Sequence, residues 1–263
     1  MPSSAPSFAP PLLASFVPGA VTEPFRADSP ATTDPLPVAI LGVSFDPMTL
    51  SGAVDRIEAM IAARRPNYVV TPNVDFLVQA QHDAELHQIL VQADLVLCDG
   101  KPLVWASRWL GNALPGRVAG SDLVPILLQR AAERGWKIFL LGGAEGVGAE
   151  AAQRIAAAHP TLPAVGHYSP PHRPLAEMNH AEIVARLHAA APDVVLVCFG
   201  CPKQEKWIFQ HYREAGVPVM IGAGGTVDFL AGRLQRAPLW MRRTGTECGF
   251  LLWQEKSLLC KRY

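Results

Sequence analysis

The sequence lacks long hydrophobic runs, and it has no excess of charge of either sign. Its 263 residues include 23 basic and 23 acidic side chains, so the formal net charge is zero. No stretch reaches the roughly 18 uncharged apolar residues of a membrane-spanning helix. A secretory signal is also absent, because the first basic residue is Arg26 and prolines interrupt the apolar patch PLLASFVPG. We therefore expect a cytoplasmic protein without a membrane span.

The five cysteines form neither a disulfide framework nor a zinc-ligand pattern. Cys98 and Cys198 lie in apolar strand-like runs, which is typical of buried free thiols. Cys198 and Cys201 have the spacing of a redox pair, but no tryptophan precedes them and a proline follows directly, which argues against a thioredoxin-like role. Cys248 and Cys260 stand 12 positions apart in a different setting. We expect no metal site and no cofactor.

Charge is distributed unevenly along the chain. Residues 233–263 hold seven basic and two acidic side chains, a net charge of +5, which leaves −5 for residues 1–232. The tail mixes its basic residues with Phe, Leu and Trp, and this mixture favours contact with an anionic membrane surface. It lacks zinc-finger spacing and basic-region heptads, so no nucleic-acid partner is expected. The predicted membrane-contact residues are Arg233, Arg236, Arg242, Arg243, Lys261 and Arg262.

Three regions follow from composition and periodicity. Residues 1–37 hold nine of the 24 prolines, which is typical of a disordered leader. From residue 38, strand-length apolar runs alternate with helical patterns, and this predicts a doubly wound, mostly parallel, Rossmann-like α/β domain over residues 38–232. A basic helical appendage follows over residues 233–263. The predicted strands are 38–43, 67–71, 94–98, 137–141, 164–168, 193–199 and 217–222. The predicted helices lie near 50–64, 74–92, 101–110, 121–134, 145–158, 177–190 and 203–214.

Polar or glycine-rich segments follow five of the predicted strands, namely TPN, DG, GG, FGCPKQE and GAGGTVDF. Ligands bind beyond the carboxyl ends of strands in an open parallel sheet, where glycines and helix N-termini can hold an anion such as a diphosphate. Each segment also has a plainer interpretation. Asn73 or Asp75 could simply cap a helix, and Asp99-Gly100 could be a turn. Five such ends on one edge favour a binding site.

These segments, in their order and spacing, carry a resemblance to a known family. The run TPN, CDG, GRVAGSDL, LLGG, FGCPKQEKW, GAGGTVDFLAG and RAPLW resembles the WecG/TagA/CpsF family of bacterial glycosyltransferases, over residues 38 to about 253. The resemblance implies a metal-independent inverting enzyme that moves a sugar from a UDP donor to a polyprenyl-diphosphate-linked saccharide. Where the family usually has an aromatic residue after the tail glutamate, Cys248 follows Glu247 here.

The resemblance also implies roles for matching residues. Asp99 corresponds to the proposed general base, and Thr71 and Asn73 to polar residues that line the same pocket. A larger set is expected to surround the donor and its phosphates. This substrate-binding set is Arg117, Gly142, Gly143, Gly200, Pro202, Gln204, Glu205, Gly222, Gly225, Thr226 and Asp228.

The chemistry of sugar transfer agrees with these assignments. Transfer with inversion needs a base for the acceptor hydroxyl, and one carboxylate suffices. No Asp-x-Asp occurs in the sequence, so fixed N–H groups and cations are expected to stabilise the departing UDP. We expect an N-acetylmannosamine-like sugar or glucose, a product in exopolysaccharide or cell-surface polymer synthesis, and a peripheral position on the inner face of the cell membrane. Whether the protein forms a homo-oligomer stays an open question.

Two other functions remain as alternatives at this point. An NAD-dependent oxidoreductase on a Rossmann fold would need a G-x-G-x-x-G after the first strand, whereas the chain continues with SFDPMTL. A non-catalytic nucleotide-binding regulator at the membrane would bind UDP and tolerate loss of Asp99.

Overall fold

A computed structural model describes residues 36–244 together with Glu247 and Phe250. The predicted leader lies outside the described residues except for its last two positions. Eight strands are present in the described part: β1 Val38–Ile40, β2 Val43–Phe45, β3 Asn67–Val70, β4 Leu95–Val96, β5 Ile138–Gly142, β6 Gly166–Tyr168, β7 Val194–Cys198 and β8 Val219–Gly222. The α-helices are α1 Leu50–Ala63, α2 Val74–Ala80, α3 Ala84–Val91, α4 Lys101–Trp109, α5 Gly120–Arg134, α6 Val147–Ala158, α7 His180–Ala190, α8 Lys203–Ala215, α9 Thr226–Leu230 and α10 Leu239–Thr244.

The main sheet has six strands in the order β4-β3-β8-β7-β5-β6, and each neighbouring pair is parallel. Its central strands β5, β7 and β8 are buried along their whole length. Continuous Val, Ile and Leu runs form such strands because helices cover both faces of the sheet and no side chain meets water. The doubly wound, mostly parallel fold expected from the sequence is confirmed.

Successive side chains of β3, β4, β5, β7 and β8 enter two separate cores on opposite faces of the sheet. In β3, for example, Tyr68 and Val70 belong to one core and Val69 to the other. Trp207 of α8 is fully buried in the first core, and Leu123 of α5 is fully buried in the second. This alternation of period two fixes the strand register, because a slip of one residue would exchange the two faces.

The prediction that residues 38–43 form the first strand of the parallel sheet is wrong. Residues 38–43 do not join the parallel sheet but form an antiparallel hairpin, in which Val38 pairs with Phe45 and Ile40 with Val43. The turn at Leu41 and Gly42 has positive φ at both residues, 49° and 81°, as a tight two-residue hairpin turn requires. The hairpin reaches the sheet edge at β4, because the Asp46 N–H donates to the Val96 carbonyl at 2.9 Å.

The helix predicted over residues 74–92 is two helices, α2 and α3. Asp83 ends the continuity, because its carboxylate accepts from the Leu86 N–H at 3.0 Å and so caps α3. An N-cap residue has non-helical backbone, so a new helix axis starts at this point. Lys206 of α8 then binds Asp83 at 2.7 Å and Glu85 at 2.8 Å, which ties α3 to α8.

The boundary predicted at residue 233 stays a prediction. The chain at this point remains attached to α9, because the N–H groups of Arg233 and Leu234 donate to the Asp228 carbonyl at 2.9 and 3.3 Å. Among the described residues, no helix combines the length and the apolar character that a membrane crossing requires.

Candidate functional site at the carboxyl ends of the sheet

The ends of β3 and β4 place the Thr71 loop beside Asp99. The Leu97 N–H donates to the Val70 carbonyl at 2.9 Å, and the Asp99 N–H donates to the Pro72 carbonyl at 3.0 Å. The parallel pairing of the two strands therefore continues past their ends. Because these hydrogen bonds hold the backbone of both loops, the position of the Asp99 Cα at the edge of the sheet is fixed.

Two threonine hydroxyls approach the start of α5 from different strands. A Cβ placed on Gly120 would lie 3.7 Å from Thr71 Oγ1 and 3.9 Å from Thr226 Oγ1. Thr71 follows β3 and Thr226 follows β8, so neighbouring strand ends bring these side chains together. Both hydroxyls therefore lie within ordinary contact distance of the first residue of α5.

Asn73 has the capping role that the plainer interpretation gave it. Its side-chain oxygen accepts from the Phe76 N–H at 3.1 Å, which caps α2. A capping oxygen is committed to the helix, so the side-chain amide nitrogen is the group through which Asn73 can contact a ligand. The sequence assignment of Asn73 to the pocket stays a prediction.

An ionic cluster surrounds Asp99 on the side of α5 and the C-terminal segment. Arg117 donates to Asp122 at 2.5 Å and to Glu247 at 2.6 Å. Arg236 donates to Asp122 at 2.6 Å and also to the carbonyl and hydroxyl of Ser121. Arg242 approaches Asp122 at 3.4 Å. The ionic cluster consists of Asp99, Arg117, Asp122, Arg236, Arg242 and Glu247.

The cluster sets the protonation of Asp99. Burial raises the pKa of the Asp99 carboxyl to about 7, and although the positive charge of Arg117 opposes this, the negative charges of Glu247 and Asp122 add to it. Asp122 behaves differently, because the hydrogen bond and charge of Arg236 outweigh its burial and lower its pKa. The two carboxyl groups of this cluster therefore differ in pKa: that of Asp122 is lowered, and that of Asp99 is about 7. Such differences are typical of acid–base sites.

An amide clamp joins the ends of β7 and β8. The side-chain oxygen of Gln204 accepts from the N–H groups of Gly200 and Gly224, both at 3.1 Å. Its nitrogen donates to Glu205 at 2.7 Å, and both side chains are buried. The amide clamp consists of Gly200, Gln204, Glu205, Gly222 and Gly224. A Cβ on Gly222 would lie 2.8 Å from the polar atoms of both Gln204 and Glu205, so glycine is required there.

The glycines after β5 serve close backbone packing. A Cβ on Gly142 would lie 2.8 Å from the Cys198 carbonyl oxygen, and the φ of Gly142 is 106°. The Gly143 N–H donates to that same carbonyl at 3.0 Å, and Ser169 donates to the Gly142 carbonyl at 2.9 Å. The turn therefore lies tight against β7, which places these glycines at the same sheet edge as the amide clamp.

The remaining predicted substrate residues lie at the starts of α8 and α9. Pro202 immediately precedes α8, and Gly225 immediately precedes α9. Asp228 lies in the first turn of α9, and burial raises the pKa of its carboxyl. A Cβ on Gly225 would lie 4.0 Å from Asp228 Oδ2, so the carboxylate is directed back towards the helix start.

Three predicted membrane-contact arginines are engaged with the protein itself. Arg233 binds Glu150 of α6 through two bonds of 2.8 Å, and Arg236 and Arg242 lie in the ionic cluster. The side chain of Arg243, and the whole of Lys261 and Arg262, lie outside the described residues. Membrane contact by these six residues stays a prediction.

Sequence reasoning missed two members of the ionic cluster, Asp122 and Glu247. Asp122 stands in the motif GRVAGSDL at the first turn of α5, where an acidic residue is common and gives no distinct signal. Glu247 is 130 positions from its partner Arg117, so no local pattern could connect the two. In the described residues, no three His, Cys, Asp or Glu side chains gather as a metal site would need.

The fold places the protein among α/β proteins with an open parallel sheet, a class in which ligands commonly bind beyond the carboxyl ends of the strands. Comparison with known proteins is more specific. A family model described as "Glycosyl transferase WecG/TagA/CpsF family" matches residues 38–263, and the chain belongs to this family. It is therefore a glycosyltransferase, which confirms the class indicated by its sequence motifs.

The chain is also similar to curated proteins of Staphylococcus aureus. The N-acetylglucosaminyldiphosphoundecaprenol N-acetyl-beta-D-mannosaminyltransferase of Staphylococcus aureus strain MRSA252 is 31% identical over 212 residues, covering 80% of this chain and 82% of that protein. The protein of the same name from strain NCTC 8325 is 30% identical over the same length and shares.

Proposed function

We propose that this protein transfers an N-acetylhexosamine or hexose from a UDP-sugar to a polyprenyl-diphosphate-linked saccharide. The transfer proceeds with inversion and without a metal ion, in the assembly of a bacterial surface polysaccharide. The names of the Staphylococcus aureus relatives support this proposal, because they give N-acetylglucosaminyldiphosphoundecaprenol as the acceptor and N-acetyl-beta-D-mannosamine as the sugar that is transferred. N-acetylmannosamine is accordingly the first donor sugar to test.

The single observation that carries the proposal is the environment of Asp99. Its carboxyl stands at the end of β4, and burial raises its pKa to about 7. In a single displacement, the acceptor hydroxyl attacks the anomeric carbon while the bond from that carbon to the UDP oxygen breaks. The hydroxyl proton passes to the Asp99 carboxylate, and UDP leaves with the bonding electron pair. A base with a pKa near the working pH suits this transfer.

The departing UDP needs positive charge or fixed N–H dipoles. Arg117 and Arg236 supply two guanidinium groups within the ionic cluster, and both share Asp122 as a partner. The glycine-rich starts of α8 and α9 provide backbone N–H groups at the neighbouring strand ends. These groups together take the role that a bound metal has in other nucleotide-sugar enzymes.

The two alternatives left by the sequence are now disfavoured. Membership of a glycosyltransferase family opposes an NAD-dependent oxidoreductase and a non-catalytic regulator alike. The peripheral position at the inner face of the membrane belongs to the proposal, because an acceptor with a polyprenyl chain is presented there. A homo-oligomer is compatible with this arrangement.

Turnover with defined substrates tests the proposal. Purified protein is given UDP-N-acetylmannosamine, UDP-N-acetylglucosamine or UDP-glucose, with a synthetic N-acetylglucosaminyl-diphospho-lipid of short chain, in the presence and absence of EDTA. We expect UDP release and a product of inverted anomeric configuration by NMR, unaffected by EDTA. A product of retained configuration, or loss of turnover restored by Mg²⁺ or Mn²⁺, would contradict the mechanism.

A further inference from the structure

We propose that the outer face of α4 docks on an anionic phospholipid surface and orients the site towards the membrane. This tryptophan face consists of Lys101, Trp105, Arg108 and Trp109. It is distinct from the basic tail, and it extends the proposed function, because a lipid-linked acceptor requires the site to approach a bilayer. The helix is also the one that begins directly after Asp99 and Gly100.

The tryptophan face exposes large apolar side chains to solvent, which an ordinary surface helix does not do. Trp105 is 47% exposed and Trp109 is 90% exposed, and Leu110 at the helix end is 63% exposed. Trp105 and Trp109 are one turn apart and lie on the same side of the helix. A helix of a soluble domain normally turns polar side chains to water, so two exposed indoles in successive turns need a partner.

The opposite side of α4 is seated firmly, so the exposure of the indoles does not come from a loose helix. Leu103 and Val104 are buried in the core. Ser107 is fully buried, donates to the Val104 carbonyl at 2.8 Å and accepts from the Leu114 N–H at 3.0 Å. These contacts fix the rotation of the helix about its axis and hold the indoles outward.

Charge identifies the partner as anionic. Lys101 and Arg108 are seven positions apart and therefore share the side of the helix that carries the indoles. Residues 100–121 contain Lys101, Arg108 and Arg117 and no acidic residue. Within the part of the chain that the structure describes, neither Lys101 nor Arg108 forms an ion pair. Indole rings between basic side chains are the composition of a helix that lies in the headgroup layer of a membrane.

The location of the face favours a membrane over a protein partner. Because α4 starts two residues after Asp99, a bilayer against the tryptophan face would lie next to the proposed base. The diphosphate of a lipid-linked acceptor stands at the headgroup level, which is the depth at which indoles settle. A single surface thus positions the enzyme and its acceptor together.

Vesicle binding of the full-length protein tests the inference. The double variant W105S/W109S is compared with wild type and with V91S, a matched control at an exposed valine of α3 that is 52% exposed. Vesicles contain phosphatidylglycerol and phosphatidylcholine in equal parts, or phosphatidylcholine alone. We expect the double variant to bind the anionic vesicles at least about tenfold more weakly, with V91S unchanged. A second variant, R108Q, should weaken binding to anionic vesicles only.

Several outcomes would overturn the inference. Unchanged vesicle binding by W105S/W109S would do so, and so would a loss of dimer or higher oligomer in that variant without a change in binding, which would make a second copy of the chain the partner. The short-chain acceptor separates this inference from the proposed function. The double variant should keep wild-type turnover with it, whereas a wild-type protein that binds vesicles but transfers no sugar would refute the function alone.

Discussion

The ionic cluster and the amide clamp occupy the same edge of the sheet but are built by opposite means. In the amide clamp, Gln204 satisfies two backbone N–H groups of separate loops and one buried carboxylate, all within hydrogen-bond distance. In the ionic cluster, Arg117 is shared between Asp122 and Glu247, and Asp99 stands close to them with a pKa near 7. The clamp has little freedom, whereas the cluster has several charge states.

This difference separates shape from reactivity at the site. A neutral, hydrogen-bonded amide fixes loop geometry at every pH, because it has no proton to gain or lose. A cluster of charges can exchange its partners for a phosphate and can move a proton, but its energy depends on pH and on each neighbour. We therefore expect substitutions in the clamp to act mainly on stability, and those in the cluster mainly on turnover.

The largest expected effect separates the two regions through turnover. Replacing Asp99 by Asn removes the proposed base while preserving shape, so kcat should fall by about 100- to 10,000-fold, with no loss of unfolding free energy. Steady-state assays and urea unfolding of the same preparation measure both quantities. D55N, at an exposed aspartate of α1, is the matched control and should retain full activity. Near-normal turnover of D99N would remove Asp99 as the base.

The next effect separates the regions through stability. Replacing Gln204 by Leu leaves two part-buried N–H groups without this acceptor and removes one donor from the buried Glu205 carboxylate. Loss of about 2–4 kcal/mol of unfolding free energy is expected. Urea unfolding measures it, and Q129L on the exposed side of α5 is the control, expected to change stability by less than about 0.5 kcal/mol. Equal stabilities of Q204L and Q129L would show that the clamp does not hold the loops.

The two regions also differ in how far the sequence could predict them. Gln204, Glu205 and Gly222 lie in or beside glycine-rich segments that follow apolar runs, and short apolar runs bounded by turn residues are consistent with buried strands. The sequence motifs thus predict that these residues lie together at one edge of the sheet. They could not predict that Gln204 bridges Gly200 and Gly224, since this depends on the distance between two loops.

The ionic cluster joins residues that are far apart in the sequence, so no local pattern could predict it. Arg236 has no acidic residue near it in the sequence of the basic tail, but in the structure it binds Asp122 of α5, 114 positions away. The N-terminal hairpin, by contrast, has a local signal: in VAILGVSF, buried Val38, Ile40, Val43 and Phe45 alternate with exposed positions around a glycine turn. A period of two in six to eight residues marks a half-buried antiparallel pair.

A smaller effect concerns the pH dependence of the ionic cluster. The pKa of Asp99 is about 7 in the folded protein against 3.8 as its ordinary value. The folded state therefore binds more protons than the unfolded state between these values, and the unfolding free energy should fall as pH rises through that window. D99N abolishes this contribution and should be more stable than wild type above pH 7, by roughly 1–3 kcal/mol.

Urea unfolding of both proteins at several pH values between 4 and 8 gives the difference directly, because contributions from other groups cancel. Parallel curves for wild type and D99N would mean that Asp99 does not titrate in this range.

The smallest effect concerns the link between the cluster and the C-terminal segment. The charge of Glu247 raises the pKa of Asp99 directly, and its bond to Arg117 occupies a cation that would lower it. Replacing Glu247 by Gln acts through both routes in the same direction. The pKa of Asp99 should fall, and the acidic limb of the kcat profile should move to lower pH by roughly half a unit. E214Q, on an exposed glutamate of α8, should leave the limb in place, and a shift of the E247Q limb to higher pH would show that Glu247 does not act on Asp99 through its charge.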